Sequence, residues 1–574
     1  MIKKITHSGK EIGRVVGNTS PQEFTFYLRR YSAKLGDLVS VLTSIPRDKN
    51  DENDKKPVSS QGKDNTEEVI VWGRITSLNR YNPFLPSEAG LELADQGVEL
   101  LDTVLSSSRD QLEANVLVLG ASRAGEYNKL FPLSYPVQPG NVVRLPPRET
   151  VETVLVGDDK ETPRIPVGSL IGRNDVPIKL KVNSIVARHM VILAMTGGGK
   201  TVAARRIMRE LMDMGYPLLI LDPHGDYLKF AQMPDKFPNN KVSLFYPSVM
   251  VTEQNRDVVS YLVSEMTQGF TDPQREVFWE AIEKVSINDR ESIEGFISNV
   301  LDQLQNVDKA LTSKKNLNAT GRVVQRNLRL VRQQMENMSK TNEKLRRRMP
   351  KLEVRFEAMP DPKTNPQGFV YPGRVSILYL GGYEHLTQST IAALVLGSLY
   401  EHRASLTDEI APFMTVVEEA HNFIPSRSEG GTTIPSVAVI RKVITEGRKF
   451  GVGLLLISQR PSRLDETALS QCNTFLVLRL VNPRDQQFVE KVMENLSKAD
   501  RSLLPNFGQG QGIVSGQAVR FPLLVKIRFD DDLVSSSLGD ENLISIVQNW
   551  PNTTQGNSAA MGRQFKDDLK NAGV

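Results

Sequence analysis

The sequence predicts an α/β protein: a small N-terminal β-barrel, then a parallel sheet covered by helices, with a helical domain inserted into it. Three observations carry this. Short strands punctuated by Gly and Pro fill residues 1–165. Continuous apolar strands alternate with helices over 166–250 and again over 371–530. Residues 251–370, lying between those two stretches, are mainly helical in pattern. Length supports several pieces, since 574 residues correspond to roughly two to four domains.

In the first region the candidate strands are Glu11–Val16, Phe24–Leu28, Leu38–Leu42, Glu68–Ile75 and Asn115–Leu119. Gly17, Gly36, Gly73, Gly120, Pro136, Gly140, Pro146 and Pro147 punctuate them, which is barrel or sandwich spacing. Arg47–Thr66 is almost wholly polar and reads as a loop, and Ser87–Ser108 reads as a helix that interrupts the barrel. In the second region His189–Met195 is an apolar strand, and Lys200–Met214 is a helix stopped by Gly215 and Pro217. Leu218–Leu221 is the next strand, expected beside the first with its end in the same crevice. The alternation resumes with strand Val375–Leu380, helix Leu386–Ala404 and strand Met414–Val417. Helix Val437–Phe450 and strands Gly453–Ser458 and Thr474–Leu480 complete it. Strands apolar throughout, rather than alternating, belong to a parallel sheet buried on both faces. Residues 531–574 turn polar and read as an arm or tail.

Composition is that of an ordinary folded chain, with 39% hydrophobic and 24% charged residues, which excludes wholesale disorder. No apolar run approaches the roughly 18 residues of a membrane span, and MIKKITHSGKEIGR has no apolar stretch of a secretory signal. Cys472 is the only cysteine, so neither an internal disulfide nor a cysteine-rich zinc site is expected, and a reducing, cytoplasmic setting fits. The six histidines are scattered singles. Charge is uneven: residues 309–355 hold 14 Lys and Arg against three acids, a balance of +11 in a chain carrying +4 overall. Such a block can be a polyanion footprint.

The strongest motif is Ala194-Met195-Thr196-Gly197-Gly198-Gly199-Lys200-Thr201, between a buried strand and a helix. That is the setting of a phosphate-binding Walker A loop. Thr196, Gly197, Gly198, Gly199, Lys200, Thr201 and Val202 are the expected nucleotide-binding residues. The glycines let backbone N–H groups curl around phosphate oxygens, and the helix N-terminus adds positive charge. Lys200 would reach the β- and γ-phosphates of ATP, and the Thr201 hydroxyl would ligate Mg²⁺. Ala194 stands where the pattern has its first glycine.

Strand Met414–Val417 ends in Glu418 and Glu419. Carboxylates at the C-terminal end of a parallel strand face the ligand crevice. Glu418, where Asp is commoner, is the expected Mg²⁺ partner, and Glu419 the base polarising the attacking water. Asp222, in Asp-Pro-His-Gly-Asp, reads as an acid that positions the water or supports the site from behind it, with a tight turn as the competing reading. Gln459, ending another apolar strand, could hydrogen-bond the γ-phosphate or the water. Arg448 is the candidate arginine finger for a neighbour's nucleotide, and Arg188 a second. A surface ion pair is the competing reading for both.

Together these motifs resemble the HerA branch of the HerA/FtsK ATPases. The matching segments are AMTGGGKT, LDPHGDY, VVEEAHNF, TEGRKFGVG, ISQRPSRLD and QCNTFLVLRLVNPRDQ. The N-terminal IGRVVG, SPQEFTFYL, KLGDLV and GRIT resemble the HAS-barrel of that family, and GIVSG with FPLLVKIRF fits its C-terminal strands. The likeness covers roughly residues 10–530. It implies a RecA-like P-loop ATPase core and a ring-shaped homo-oligomer, a hexamer, pumping double-stranded DNA at the expense of ATP. In that family Lys200, Thr201, Asp222, Glu419 and Gln459 would line one subunit's site, with Arg448 supplied by the next subunit and Arg188 also approaching the phosphates. It further implies a partner nuclease, or a sirtuin-like or nuclease effector, docking on the barrel face in DNA end processing or anti-phage defence. No membrane association is expected.

A translocase needs sequence-blind phosphate contacts. Arg427, in the loop Ile424–Pro435, could line a pore or a plain surface loop. Arg322, Arg326, Arg329 and Arg332 recur at helical spacing, with Val323, Val324, Leu328 and Val331 expected opposite. A solvated face and a DNA- or partner-facing stripe are both open. No aromatics interleave, which argues against single-strand stacking. The competing function is an ATP-gated scaffold that assembles and regulates an effector without sustained translocation.

Overall fold

A computed structural model describes residues 8–29, 31–46, 66–81, 111–159, 161–267, 270–287, 291–311, 319–352, 354–405, 409–426, 434–493 and 496–530. The expected loop over 47–65, the helix over 87–108, Arg427 and the C-terminal arm lie outside the described residues.

Six strands close the N-terminal barrel: β1 (Lys10–Val16), β2 (Glu23–Leu28), β3 (Leu38–Pro46), β4 (Thr66–Tyr81), β5 (Gln111–Arg123) and β6 (Val142–Leu145), in spatial order β1-β2-β5-β4-β3-β6. Alternation builds it. Phe24 and Phe26 point into the core with Val39, Val41, Val69, Val71 and Val116, while Tyr27 points out. Closure leaves the barrel no free strand edge. On its outside, Ile70 and Trp72 pack against Val154 of the helix Arg148–Val156, and the Trp72 indole N–H donates to Ser122 Oγ at 2.9 Å.

The remaining strands are β7 (Arg164–Leu170), β8 (Arg173–Lys181), β9 (Met190–Leu193), β10 (Leu218–Asp222), β11 (Lys241–Tyr246), β12 (Met250–Val251), β13 (Glu291–Ser292), β14 (Phe356–Ala358), β15 (Arg374–Tyr379), β16 (Phe413–Val417), β17 (Val452–Ser458), β18 (Thr474–Leu478), β19 (Gln511–Gly516) and β20 (Leu523–Ile527). All but the small β12–β13 pair form one 12-stranded sheet, ordered β14-β11-β15-β10-β16-β17-β9-β18-β19-β20-β7-β8. The eight strands from β14 to β18 run parallel, and the last four continue antiparallel. The parallel strands β9, β10, β16, β17 and β18 are buried throughout, as continuous apolar runs require.

One expectation is corrected here. β10 is not beside β9, because β16 and β17 lie between them. At ~4.8 Å per strand, Asp222 lies roughly 14 Å across the sheet from the strand that leads into the phosphate loop. The two intervening strands end in Glu418 and Gln459, which thereby come closer to that loop than Asp222 does.

The helices Arg256–Met266, Asp272–Glu283, Ile293–Leu311 and Ala319–Leu352 cover one sheet face, and Phe278, Phe296, Val300, Val324, Leu328 and Met335 share one core with Leu219, Leu221 and Leu378. The 34-residue helix Ala319–Leu352 buries Val324, Leu328, Val331, Met335, Met338, Asn342 and Leu345, a seven-residue repeat. Val323, expected on that apolar face, is 41% exposed, because it falls about 100° away from Val324 around the helix. No helix among the described residues is long and apolar enough to cross a membrane.

The barrel is tied to the sheet by a buried ion pair. Arg74, on β4, reaches Asp500 Oδ1 at 2.7 Å and Oδ2 at 2.8 Å, and both side chains are 1% exposed. Asp500 also caps its own helix, Lys498–Leu503, through Ser497. Arg520, between β19 and β20, donates to the carbonyls of Asn128 and Val154 at 2.8 and 3.0 Å.

His189 precedes β9 in a left-handed turn, φ 60°, which shortens the expected strand. Its ring is buried between two backbone groups: Nδ1 accepts from Leu454 N–H and Nε2 meets Ile444 O, both at 3.1 Å. Burial pulls its pKa down to about 4, against the opposing hydrogen bond to Ile444. A base whose folded pKa is depressed contributes stability above its unfolded value near 6.5, lost as pH falls toward 4. His189→Asn, which tolerates positive φ, should flatten the fall in melting temperature between pH 7 and 4.5, a term of up to about 3 kcal/mol. Arg74→Met should cost about 3–5 kcal/mol, by stranding Asp500, and split the barrel's unfolding from the sheet's in calorimetry.

Candidate active site

The phosphate loop starts where β9 ends and closes where the helix Lys200–Asp213 begins. Its backbone is held from three sides: Ala194 N–H bonds Ser458 O at 3.3 Å, Met195 N–H bonds Arg479 O at 2.9 Å, and Gly198 O accepts from Gly510 N–H at 3.1 Å. Gly197 and Gly199 have φ of +77° and +97°. A Cβ on Gly199 would stand 3.0 Å from the Gly510 backbone, so both conformation and space require glycine there. Ala194 is fully buried and keeps a negative φ, so the missing first glycine is accommodated without strain. The first-turn amides of Lys200, Thr201 and Val202 have no helical carbonyl to bond, and the Gly199 cap offers no side chain to cover them. This is a cradle for an anion.

Lys200 bridges two acids. Its Nζ lies 2.7 Å from Glu418 Oε1 and 2.6 Å from Glu419 Oε1. Burial works to lower the ammonium pKa, but the two carboxylates outweigh it and hold it above the usual value. Glu418 is fully buried; burial pushes its carboxyl up to about 7, with Lys200 and Tyr227 pulling the other way. The Tyr227 hydroxyl donates to Glu418 Oε2. Glu419 sits in a left-handed turn, φ 49°, an uncommon conformation for a non-glycine residue. That turn directs its Oε1 to Lys200, while Oε2 lies 3.3 Å from His421 Nδ1. His421 Nδ1 also lies 3.1 Å from Ser458 Oγ.

Gln459 comes to the loop: its Oε1 accepts from the Thr196 hydroxyl at 2.5 Å. Asp222 does not. Its buried carboxylate accepts four backbone N–H bonds from the following turn, from His224, Gly225 and Asp226 to Oδ1 and from Tyr227 to Oδ2. The geometry shows the turn, and it sets Asp222 behind the site, supporting it through Tyr227 rather than lying against the phosphate loop. Asp222 fixes Tyr227, which fixes Glu418. Tyr227 and His421 escaped sequence reasoning, because both lie inside matched motifs without a polar pattern to mark them. Arg448 is exposed in the last turn of the helix Pro435–Phe450, and Arg188 bonds Gln517. Each immediately precedes a strand whose far end carries the site, so both lie at the opposite end of the sheet from Lys200. Neither approaches the phosphate loop of its own chain. Arg322, Arg326 and Arg329 are on the insert helix, exposed and apart from this cluster.

The residues fit Mg²⁺ in the way nucleotide sites hold it. No group of three His, Cys, Asp or Glu side chains among the described residues forms a cage. Glu418 Oε1 and Glu419 Oε2 are buried and, beyond the contacts to Lys200 and His421, have no polar partner. One or two carboxylates, a hydroxyl and substrate phosphates are the usual set for this ion.

Residues 165–399 match the family model described as the HerA helicase central domain. The chain is 27% identical over 498 residues to the DNA double-strand break repair helicase HerA of Pyrococcus furiosus, covering 80% of this chain and 85% of that one. It is 24% identical over 554 residues to a probable helicase of Methanocaldococcus jannaschii, covering 94% of each. Among solved structures, VirB4 of Thermoanaerobacter pseudethanolicus aligns with a TM-score of 0.42 and 16% identity, over 64% of this chain and 97% of that one.

Gly199→Ala should lower nucleotide affinity by roughly tenfold or more, since an L side chain there costs about 1–3 kcal/mol of strain. Titration calorimetry with a non-hydrolysable ATP analogue reads this directly.

Proposed function

We propose that this chain, which carries a HerA central domain and is related over most of its length to the HerA helicases, is an ATP-dependent DNA translocase or helicase. The observation that carries the reading is Lys200, at the mouth of a glycine cradle, facing two buried carboxylates from β16. Cradle and acids are parts of a phosphoryl-transfer site in which catalysis is mostly positioning and charge stabilisation.

In this reading the loop amides from Thr196 to Val202 hold the phosphates, and Lys200 swings from the carboxylates to the phosphate oxygens. Its departure frees Glu419 to take a proton from the attacking water, with Gln459 orienting that water from the adjacent strand. Thr201 and Glu418 would hold Mg²⁺, which supplies charge neutralisation on the phosphates when bound. Asp222 acts through Tyr227, keeping Glu418 aimed. His421, held by Ser458, stands beside the second oxygen of Glu419.

The placement of Arg448 and Arg188 supports a ring. An arginine at the far end of the sheet can serve only a nucleotide held by a neighbouring copy, as head-to-tail rings arrange. The hexamer, the duplex as track, and a nuclease or effector on the barrel face follow from the family likeness, and they extend the reading toward DNA end processing or defence.

Steady-state ATP turnover with and without linear duplex DNA tests it. Turnover should rise on duplex; indifference to DNA would favour the scaffold reading. Glu419→Gln should retain ATP and hydrolyse it about 10²–10⁴-fold more slowly, as expected for loss of a general base. Lys200→Ala should lose tight ATP binding, and normal turnover in that variant would remove the site assignment.

A further inference from the structure

The solvent face of the helix Ala319–Leu352 is not an ordinary charged surface. Its buried seam runs through Val324, Val331, Met338 and Leu345. Diametrically opposite, within about 60° of arc at 100° per residue, lie Arg322, Arg326, Arg329, Lys340, Lys344 and Arg347, all exposed. The second triplet repeats the first after 18 residues, which is five full turns, so each cation sits directly above its counterpart about 27 Å along the axis. The whole strip extends about 38 Å.

No acid occupies that arc; Gln333 is the residue between the triplets. Glu336 and Glu343 stand on flanking positions and pair with Arg332 and Arg347. Among the described residues Arg322, Arg326, Arg329, Lys340 and Lys344 make no ion pair. A helix that only needs solubility mixes signs, because opposite charges four residues apart stabilise it and like charges destabilise it. Arg322 with Arg326 is a like pair at that spacing with no acid within four residues of either, so the first triplet costs helix stability until a polyanion neutralises it; Lys340 and Lys344 repeat the like pair, with Glu336 and Glu343 beside it.

We propose that this strip is a second DNA-contacting surface, outside the nucleotide site, that follows the phosphates of a duplex. The proposal rests on the DNA-motor reading above. Duplex is the form that fits. The strip is a straight, rigid row of point charges about as long as one duplex turn, roughly 34 Å. The helix contains no aromatic residue on which unpaired bases could stack.

The test compares the full chain with Arg322→Gln/Arg326→Gln/Arg329→Gln by fluorescence anisotropy on a linear duplex over a range of salt. Each lost phosphate contact removes about 0.9 from the slope of log affinity against log salt, so the triple variant should lose about 2.7, with weaker binding at every salt concentration. The corresponding triple Lys variant should keep the slope, which separates charge from fold. An unchanged slope in a triple Gln variant, while the parent binds duplex, would make the strip a solvated face and leave the motor reading standing. A parent that binds no duplex would overturn both. An equal loss on a single-stranded oligonucleotide would overturn the assignment to duplex.

Discussion

Everything at this site is arranged around one largely buried cation. Two carboxylates from adjacent positions at the end of a buried strand cannot both be ionised side by side without a counter-charge. Lys200 supplies it, at 2.7 and 2.6 Å. The lysine is anchored by the helix that the glycine loop starts, and the acids by the strand two places away in the sheet. The charge cluster therefore fixes loop, helix and central strands relative to one another before any ligand arrives. It also sets what a ligand must do. A polyphosphate competes with two carboxylates for one ammonium, so binding is coupled to the release of the acids. The left-handed turn at Glu419 suits such coupling, since strained backbone persists only where its surroundings hold it.

The alternation of apolar strands with helices made the parallel sheet legible, because a strand buried on both faces has no polar side to disguise it. The glycine loop was equally plain: GGGKT between strand and helix has few other uses. Punctuation showed a small all-β unit, barrel or sandwich; its closure into a barrel lies in strand pairing that no local pattern records. Strand order could not. Strand β10 follows the phosphate-loop helix closely in sequence, yet two strands from much later in the chain enter between them. Nothing local in Leu218–Asp222 records that. The placement of Asp222 follows: its carboxylate serves four amides of its own turn, a bond pattern that its Asp-Pro-His-Gly-Asp context allowed but did not distinguish from an outward-facing acid.

Pairs distant in sequence were the other blind spot. Tyr227 holds Glu418 across 191 residues, and Thr196 holds Gln459 across 263. A lone tyrosine just after a polar turn looks like core until its hydroxyl is seen to meet a buried acid. The insert helix shows the reverse. Its periodicity revealed the arginine face, but Val323, one position off the seam, stands about 100° around the helix and is exposed.

Arg74 and Asp500 bear on how freely this architecture can be recombined. The pair joins residues 426 apart, one in the barrel and one near the end of the sheet region, and both are sealed from water. A barrel exchanged for one of another lineage would carry away half of a charge pair and leave the other half buried without its counter-charge. Inheritance of the two pieces is thereby linked: they diverge as a unit, or the new combination must first replace the pair with matching apolar side chains. The N-terminal barrel, a separate unit in the sequence pattern, is at this contact keyed to its own sheet.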